Sequence, residues 1–350
     1  MPIPAKRVSR STWYRRVLCV AVLSILSPLA TANGGLAAML DEAERLAPLE
    51  TLIIAQHGKV IAERGYRGHR TTTPSNIKSA SKSVISALIG IAIGKGVIDS
   101  IEQPIAELLP ADLPGRPDPR LQQVTVSNLL SMQAGLGSTS GRNYGAWVAS
   151  RNWVRAALAR PFEADPGTAM IYSTGSSHLL SAILTRRTGK STLQLAQQWL
   201  APVDGFAISA WTRDPQGIYL GGNEMAMTPR SLLAFGELYR RGGLSASGER
   251  LLSADWIDAS WTPRTRSRYT GHGYGYGYGW FITELGGEAV RYGWGYGGQM
   301  VYVVPGLDMT VVMTSNTMQP SSGAMGHRDA LHRLRGEIIS ALRETQVSRP

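Results

Sequence analysis

Strand-forming patterns lie near both ends of this chain and helix-forming patterns lie between them, and this order restricts the fold. Residues 51–56 and 59–66 are apolar, β-rich runs separated by His57-Gly58, which predicts a β-hairpin. Strand-like runs return in the last third, whereas residues from about 100 to 260 show mainly helical spacing. The pattern predicts an α+β fold. One antiparallel sheet is built from both chain ends, at about 50–70 and 272–316, flanked by helices and with a mainly helical insert at about 100–260.

Individual elements follow from the same signals. Residues 79–95 have apolar side chains at helical spacing and are followed by Gly96, which predicts a buried helix with a glycine C-cap. Thr228 and Pro229 are typical of the first positions of a helix, here running to Arg241. Further helices are predicted at 125–133, 176–188, 192–200 and 329–342, and strands at 274–282, 289–292, 299–304 and 308–315, with Pro305-Gly306 as a turn.

The N-terminus has the composition of an export signal. Its first sixteen residues contain five basic and no acidic side chains, and an apolar run at 17–30 leads to Ala30-Thr31-Ala32. The run is interrupted by Pro28 and is shorter than the roughly 20 residues of a membrane-spanning helix. We therefore expect a signal peptide at 1–32, cleavage near Ala32/Asn33, a periplasmic or secreted protein without a stable membrane anchor, and one domain at 33–350. The alternative is an uncleaved, membrane-tethered interaction protein.

Composition argues against several classes of partner. Removal of the five signal-peptide basic residues lowers the formal net charge from +11 to +6, and the remaining arginines are scattered, so we expect no nucleic-acid partner. Cys19, the sole cysteine, lies within the expected signal. The histidines have no metal-binding spacing and are interpreted as turn or surface residues, so neither a metal nor an organic cofactor is expected. They are His57, His69, His178, His272, His327 and His332.

A serine and a lysine three residues apart, Ser79 and Lys82, open the helix predicted at 79–95. Residues at this spacing share a helix face, so the amine can reach the hydroxyl. The helix N-terminus favours the neutral amine and a developing oxyanion, and a neutral lysine can accept the serine proton. Ser75 and Lys78 form a second S-x-x-K, but they precede the helix and are interpreted as a chance match. No G-x-S-x-G nucleophile elbow occurs, which disfavours a Ser-His-Asp hydrolase.

Several stretches of the chain resemble serine hydrolases related to class C β-lactamases, and among these the 6-aminohexanoate-dimer hydrolases. The resemblance covers nearly the whole chain after the signal, and the order and spacing of the stretches make it specific. The matching stretches are 77–83 (IKSASKS), 129–136 (LLSMQAGL), 166–174 (PGTAMIYST), 227–231 (MTPRS) and 295–299 (GYGGQ), which leads into 301–305.

This resemblance implies a β-lactamase/transpeptidase-like fold and a role for each matching residue. Ser79 would be the acylated nucleophile, Lys82 its proton partner and Tyr172 a second general acid and base. The backbone N–H groups of Ser79 and of Tyr296, on an edge strand opening at Gly295, would form the oxyanion hole. Substrate contacts would come from Thr174, Gly295 and Gly297. The implied activity is hydrolysis of a small ester or amide through an acyl-enzyme, with oligomeric state left open.

Two positions depart from the family pattern. Thr174 stands where many relatives have Asn, and Gly295–Gly298 lacks the Lys or His that grips a substrate carboxylate in β-lactamases and carboxypeptidases. The missing cation favours an amidase or esterase, whereas the threonine affects a substrate or water contact. The alternatives are a β-lactamase or D-Ala-D-Ala carboxypeptidase-type penicillin-binding protein, and a slowly deacylating sensor or binding module.

Aromatic residues raise two structural questions. Alternation of Tyr274, Tyr276, Tyr278 and Trp280 with glycines in one strand would place all four rings on one face and the glycines against a helix. Packing beside the helix at 79–95 is favoured over a base-stacking platform. Trp147 and Trp153 are assigned either to the pocket rim or to the core.

Overall fold

The predicted N-terminal hairpin pairs with the last strand of the chain. In the computed structural model, which describes residues 1–2, 28–267, 274–318 and 324–347, β1 (Leu49–Gln56) lies between β2 (Lys59–Gly65) and β11 (Met309–Ser315). The described part forms an eight-stranded sheet of order β2-β1-β11-β10-β9-β8-β7-β6, antiparallel throughout. Its other strands are β6 (Thr265–Arg266), β7 (Gly275–Tyr276), β8 (Phe281–Leu285), β9 (Glu288–Gly295) and β10 (Gln299–Val304). This confirms the predicted α+β fold.

Three very short strands form a second sheet that the sequence does not predict. They are β3 (Ser75–Asn76), β4 (Ala210–Trp211) and β5 (Met225–Met227), in the order β3-β5-β4. Strands of two or three residues are too short to show an alternating pattern. The small sheet joins the segment before Ser79 to the end of the helical insert, 150 residues later in the chain.

The helices lie largely where their capping signals predict. Thr228 accepts from Ser231 N–H, and Pro229 starts the following helix. The helix predicted at 79–95 is α2 (Ser81–Gly94), preceded by a 3₁₀ turn at Lys78–Ala80. The others are α1 (Pro28–Ala43), α3 (Ile105–Leu108), α4 (Val126–Leu130), α5 (Tyr144–Val148), α6 (Trp153–Leu158), α7 (Thr174–Thr188), α8 (Thr192–Trp199), α9 (Pro229–Arg240), α10 (Ala254–Trp261) and α11 (Ala324–Val347).

The large sheet is buried on both faces. In β1, Ile53 packs into the core with α2, α9 and the insert, whereas Leu52 and Ile54 pack into the core with α1 and α11. In β10, Val301 and Tyr302 divide between the two faces in the same way. Because successive side chains of a strand point to opposite faces, this alternation separates an inner layer, which holds α2, from an outer layer.

The predicted single strand at 274–282 is wrong. A turn at 277–280 separates β7 from β8, with Gly279 in the left-handed region (φ +76°) and Gly277 N–H donating to the Trp280 carbonyl at 2.9 Å. The rings therefore divide between the layers: Tyr276 joins the outer core, and Tyr278 and Trp280 the inner core. The glycine expectation holds at Gly279, where a Cβ would stand 2.9 Å from the Lys82 carbonyl oxygen of α2.

The predicted signal peptide lies mostly outside the described residues. α1 begins at Pro28 and extends across the predicted cleavage position near Ala32/Asn33. Its Leu36 and Leu40 are buried in the outer layer. In the described ranges, none of the helices combines the length and apolar character needed to span a bilayer.

Candidate active site

Ser79 lies where the 3₁₀ turn runs into α2. The α-helix begins at Ser81, two residues later than predicted, and Ser81 Oγ donates to the Lys78 carbonyl at 2.7 Å. β9 lies directly against this turn, since a Cβ on Gly295 would stand 2.2 Å from the Ile77 carbonyl oxygen. The absence of a side chain at Gly295 thus lets the backbone of the sheet pack directly against the turn that contains Ser79.

Lys82 lies one turn further along, buried beneath Ser79. Its Nζ is 3.0 Å from Ser79 Oγ, 2.7 Å from the Gly222 carbonyl oxygen and 3.4 Å from Thr174 Oγ1. Burial lowers the pKa of Lys82 to about 7, because an ammonium group is poorly solvated there. The lowered pKa makes the unprotonated amine, which can accept a proton, accessible near neutral pH.

Tyr172 reaches the same place from the insert, just before α7. Its ring centroid is 5.0 Å from Lys82 Nζ. Its carbonyl accepts from Ser138 Oγ at 2.7 Å, and its ring packs edge-on against Tyr276 with centroids 6.4 Å apart. The structure thus brings Ser79, Lys82 and Tyr172, all selected from the sequence, to one point.

Thr174 is the first residue of α7 and forms part of a chain of hydroxyls. Its N–H donates to Ser140 Oγ at 2.8 Å, and its own hydroxyl lies 2.9 Å from that oxygen and 3.4 Å from Lys82 Nζ. Ser140 was not predicted from the sequence. Thr174 also lines the cavity, where its hydroxyl faces Lys82.

Tyr296 lies in a glycine turn between β9 and β10. Gly295 ends β9, and Gly298 N–H donates to the Gly295 carbonyl at 3.2 Å to close the turn. Gly297 has φ +83°, which favours glycine there. The predicted edge strand opening at Gly295 is therefore wrong: β9 ends at this residue and lies inside the sheet, between β8 and β10. Tyr296 follows that strand and lines the cavity with Ser79.

An ion pair on the other side of Ser79 was missed. Lys78 Nζ lies 3.0 Å from Glu224 Oε1, and Asn76 Nδ2 donates to Glu224 Oε2 at 2.6 Å. The sequence offered one signal, the second S-x-x-K. Its serine, Ser75, lies in β3 and is absent from the cavity lining, whereas Lys78 is part of it.

His178 was interpreted as a turn or surface residue, which is wrong. It lies in α7 and is fully buried, with Nε2 3.1 Å from Asp214 Oδ2. Because a carboxylate only accepts, Nε2 carries the proton and Nδ1 is left to accept from Gly221 N–H at 3.4 Å. The next residue, Gly222, is the one whose carbonyl accepts from Lys82. The buried His178–Asp214 pair therefore contacts the backbone segment that binds Lys82.

The cavity in front of Ser79 has a volume of about 530 Å³. Trp147 and Trp153 do not line it; they are buried with Leu220 in a small core behind the rim, which settles their assignment to packing. Burial and the nearby Glu224 carboxylate raise the pKa of Tyr144, at the rim itself, to about 12. The lining residues are Lys78, Ser79, Ser140, Gly141, Tyr144, Tyr172, Thr174, Asn223, Glu224, Phe281, Trp294 and Tyr296.

Metal-ligating side chains are not grouped in the described residues. Within those ranges no three His, Cys, Asp or Glu side chains come close enough together to hold an ion. His272 lies outside the described residues.

Comparison with known families identifies the scaffold. The sequence matches the Beta-lactamase family model over residues 43–334, most of the chain. The chain belongs to the β-lactamase family. This confirms the resemblance drawn from the sequence, and with it the enzyme class, a serine hydrolase of the amidase or esterase type. Among curated proteins, none matches the chain significantly.

Solved structures share the fold of this β-lactamase-family chain at low sequence identity. A Bacillus anthracis protein provisionally described as a 6-aminohexanoate-dimer hydrolase is 20% identical, with a TM-score of 0.69 over 90% of this chain and 83% of its own. EstCE1, a hydrolase with promiscuous acyltransferase activity, is 18% identical, with 0.65 over 87% and 98%. A penicillin-binding protein homologue from Caulobacter crescentus is 17% identical, with 0.64 over 87% and 97%. At these identities the likeness establishes the fold alone.

Proposed function

We propose that this β-lactamase-family protein hydrolyses small, uncharged esters or amides through an acyl-enzyme on Ser79. The observation that carries the proposal is the 3.0 Å contact between Ser79 Oγ and a buried Lys82 whose pKa is lowered to about 7. A serine hydroxyl is a weak nucleophile until a neighbouring base takes its proton. Lys82 is close enough and sufficiently unprotonated at neutral pH to be that base.

In the first half-reaction, Ser79 Oγ attacks the substrate carbonyl carbon while its proton passes to Lys82. The tetrahedral oxyanion lies between the Ser79 and Tyr296 backbone N–H groups, on the 3₁₀ turn and the glycine turn that flank the cavity. The bond to the leaving alkoxide or amine then breaks, and that group takes a proton relayed from Lys82 through Tyr172. The product is an ester on Ser79.

The second half-reaction uses the same groups in reverse. A water molecule gives its proton to the Tyr172 and Lys82 pair and attacks the acyl carbon. The ester bond breaks, the acid leaves, and Ser79 Oγ recovers a proton. The Tyr172 ring centroid lies 5.0 Å from Lys82 Nζ, so the two side chains are neighbours in the site.

The lining of the cavity supports an uncharged substrate. Apolar area there is contributed by aromatic side chains, among them Phe281 and Trp294. In the described lining the charged side chains are Lys78 and Glu224, which neutralise each other. The turn at Gly295–Gly298 has no cationic side chain to bind a carboxylate, a group that β-lactams and D-Ala-D-Ala peptides carry.

We also propose that the protein acts outside the cytoplasm. The basic and apolar composition of residues 1–32 supports export. Cleavage near Ala32/Asn33 would leave Leu36 and Leu40 available for the outer core. Cell fractionation tests export, and recovery of the protein only from the cytoplasm would contradict it. Amino-terminal sequencing of exported protein tests cleavage, and an intact Met1 would contradict cleavage near Ala32/Asn33.

Labelling and turnover together test the proposed reaction. A fluorophosphonate should label wild type and Ser75→Ala but not Ser79→Ala, and only the first two should hydrolyse p-nitrophenyl esters or short amides. Nitrocefin, which carries a carboxylate, should be a poor substrate for all three. Tyr172→Phe should still be acylated but lose about 100-fold in turnover, so that acyl-enzyme accumulates in mass spectra. Equal loss in the Ser75 and Ser79 variants would contradict the choice of nucleophile, and a stable wild-type adduct without turnover would indicate a sensor.

A further inference from the structure

The wall of the cavity beside Ser79 contains two strained residues held together by charge. Lys78 has φ +50° and Glu224 has φ +50°, a region that residues other than glycine seldom adopt. Such conformations persist where surrounding contacts enforce them, and they concentrate at functional sites. The two residues are far apart in the chain and meet only because β3 and β5 pair.

The contacts around this pair fix both side chains. Glu224 accepts from Lys78 Nζ at 3.0 Å and from Asn76 Nδ2 at 2.6 Å, one on each carboxylate oxygen. Asn76 Oδ1 in turn accepts the Lys78 N–H at 2.9 Å. The lysine and glutamate side chains are 21% and 31% exposed, so water screens the pair less than it would at the open surface. These hydrogen bonds make the Lys78–Glu224 pair a fixed part of the cavity wall.

We propose that Glu224 sets the charge selectivity of the active site by neutralising Lys78. This rests on the proposed function and extends it to the acyl group. Lys78 adjoins Ser79 in the chain and, like Glu224, lines the cavity. With Glu224 in place, this wall presents no unpaired charge to an uncharged acyl group. An anionic acyl group gains little from Lys78, because the ammonium is already bound to the Glu224 carboxylate. Glu224 is therefore a specificity-determining residue.

Removing either partner should reveal the charge of the other. In Glu224→Gln, the amide oxygen can keep the bond from Asn76, but the amide nitrogen then faces the Lys78 ammonium and cannot hold it. Lys78 becomes free to bind an anionic acyl group. In Lys78→Met, the carboxylate of Glu224 remains and should favour a cationic acyl group.

Three p-nitrophenyl esters of matched chain length provide the probe: the neutral pentanoate, the glutarate monoester, and 4-(trimethylammonio)butanoate. Glu224→Gln should raise the kcat/KM ratio of glutarate to pentanoate by about tenfold, the size expected for one unpaired charge that water partly screens. Lys78→Met should raise the ratio of the cationic ester to pentanoate by a similar factor. The double variant should return both ratios to within about threefold of wild type.

Glu63→Gln is the matched control. It removes a glutamate from another ion pair, with Arg230 at 2.6 Å, away from the cavity lining, and should leave all ratios unchanged. If Glu224→Gln hydrolyses pentanoate but its kcat/KM ratios for the charged esters equal those of wild type, this inference is wrong. The proposed function would still stand. Absence of both fluorophosphonate labelling and pentanoate turnover in wild type would instead refute the proposed function. If Glu224→Gln fails to fold, the cationic ratio of Lys78→Met decides the question.

Discussion

The two sides of the Ser79 turn each contain a lysine, and their surroundings differ completely. Lys82 is buried, and in the described structure its hydrogen bonds go to two hydroxyls and a carbonyl. Lys78, four residues earlier, lies in the cavity wall and binds the Glu224 carboxylate. Burial without a counter-charge favours a neutral amine, whereas a carboxylate partner favours an ammonium. In the proposed mechanism, environment, more than residue type, distinguishes the lysine that transfers protons from the lysine that takes part in substrate selection.

The largest expected difference separates the two lysines directly. Lys82→Met should lower kcat for a neutral ester by about 100-fold or more, because the variant loses the proposed base, whose Nζ lies 3.0 Å from Ser79 Oγ. Lys78→Met should cost less than about tenfold on the same ester. Lys95→Met, at the exposed end of α2, serves as a control for removal of a lysine. Similar decreases in kcat in Lys78→Met and Lys82→Met would contradict the proposed difference between the two lysines.

The pH dependence should follow Lys82. Because burial lowers the pKa of Lys82 to about 7 and the neutral form is the base, kcat/KM should fall about tenfold per pH unit below that value. The free energy of unfolding should also depend on the protonation of Lys82. The unfolded chain binds the Lys82 proton up to its ordinary pKa of 10.5, so stability should rise between about pH 7 and 10.5 and the rise should vanish in Lys82→Met. Rate profiles and denaturant titrations across this range measure both.

A smaller effect is expected from the buried pair behind Lys82. In Asp214→Asn, Oδ1 can still accept from Gln216 and Ile218 N–H, but the amide nitrogen would face His178 Nε2. The imidazole proton would move to Nδ1, which could then no longer accept from the Gly221 N–H. We expect kcat to fall about tenfold as the Gly222 carbonyl turns away from Lys82.

The direction of the pH shift distinguishes this positioning role from general destabilisation. The Gly222 carbonyl favours protonated Lys82, so its loss should lower the pKa of Lys82 further and move the acid limb of the rate profile to lower pH. Asp112→Asn, which alters another buried acid paired with Arg186 at 3.2 Å, should not move that limb. An unmoved limb in Asp214→Asn would mean that His178 only stabilises the fold.

The sequence predicts those features that depend on local spacing. Ser79 and Lys82 share a helix face, and capping residues such as Thr228 mark where helices begin. The Lys78–Glu224 pair escaped prediction because it depends on two-residue strands that join distant segments. His178 and Asp214 were missed because a single buried pair leaves no periodic signal. The aromatic ladder was misread because Gly279 adopts a positive φ that interrupts alternation.

The sheet order also bears on synthesis. β1 and β2 are made early, yet β1 pairs with β11, and the Ser79 turn leans on Gly295 of β9. A growing polypeptide therefore carries its nucleophile long before the strands that support it exist, and pairing across so long a loop is slow. Because the proposed active site needs both the Ser79 turn and the glycine turn that follows β9, we expect hydrolysis only after these late strands have been synthesised and have paired.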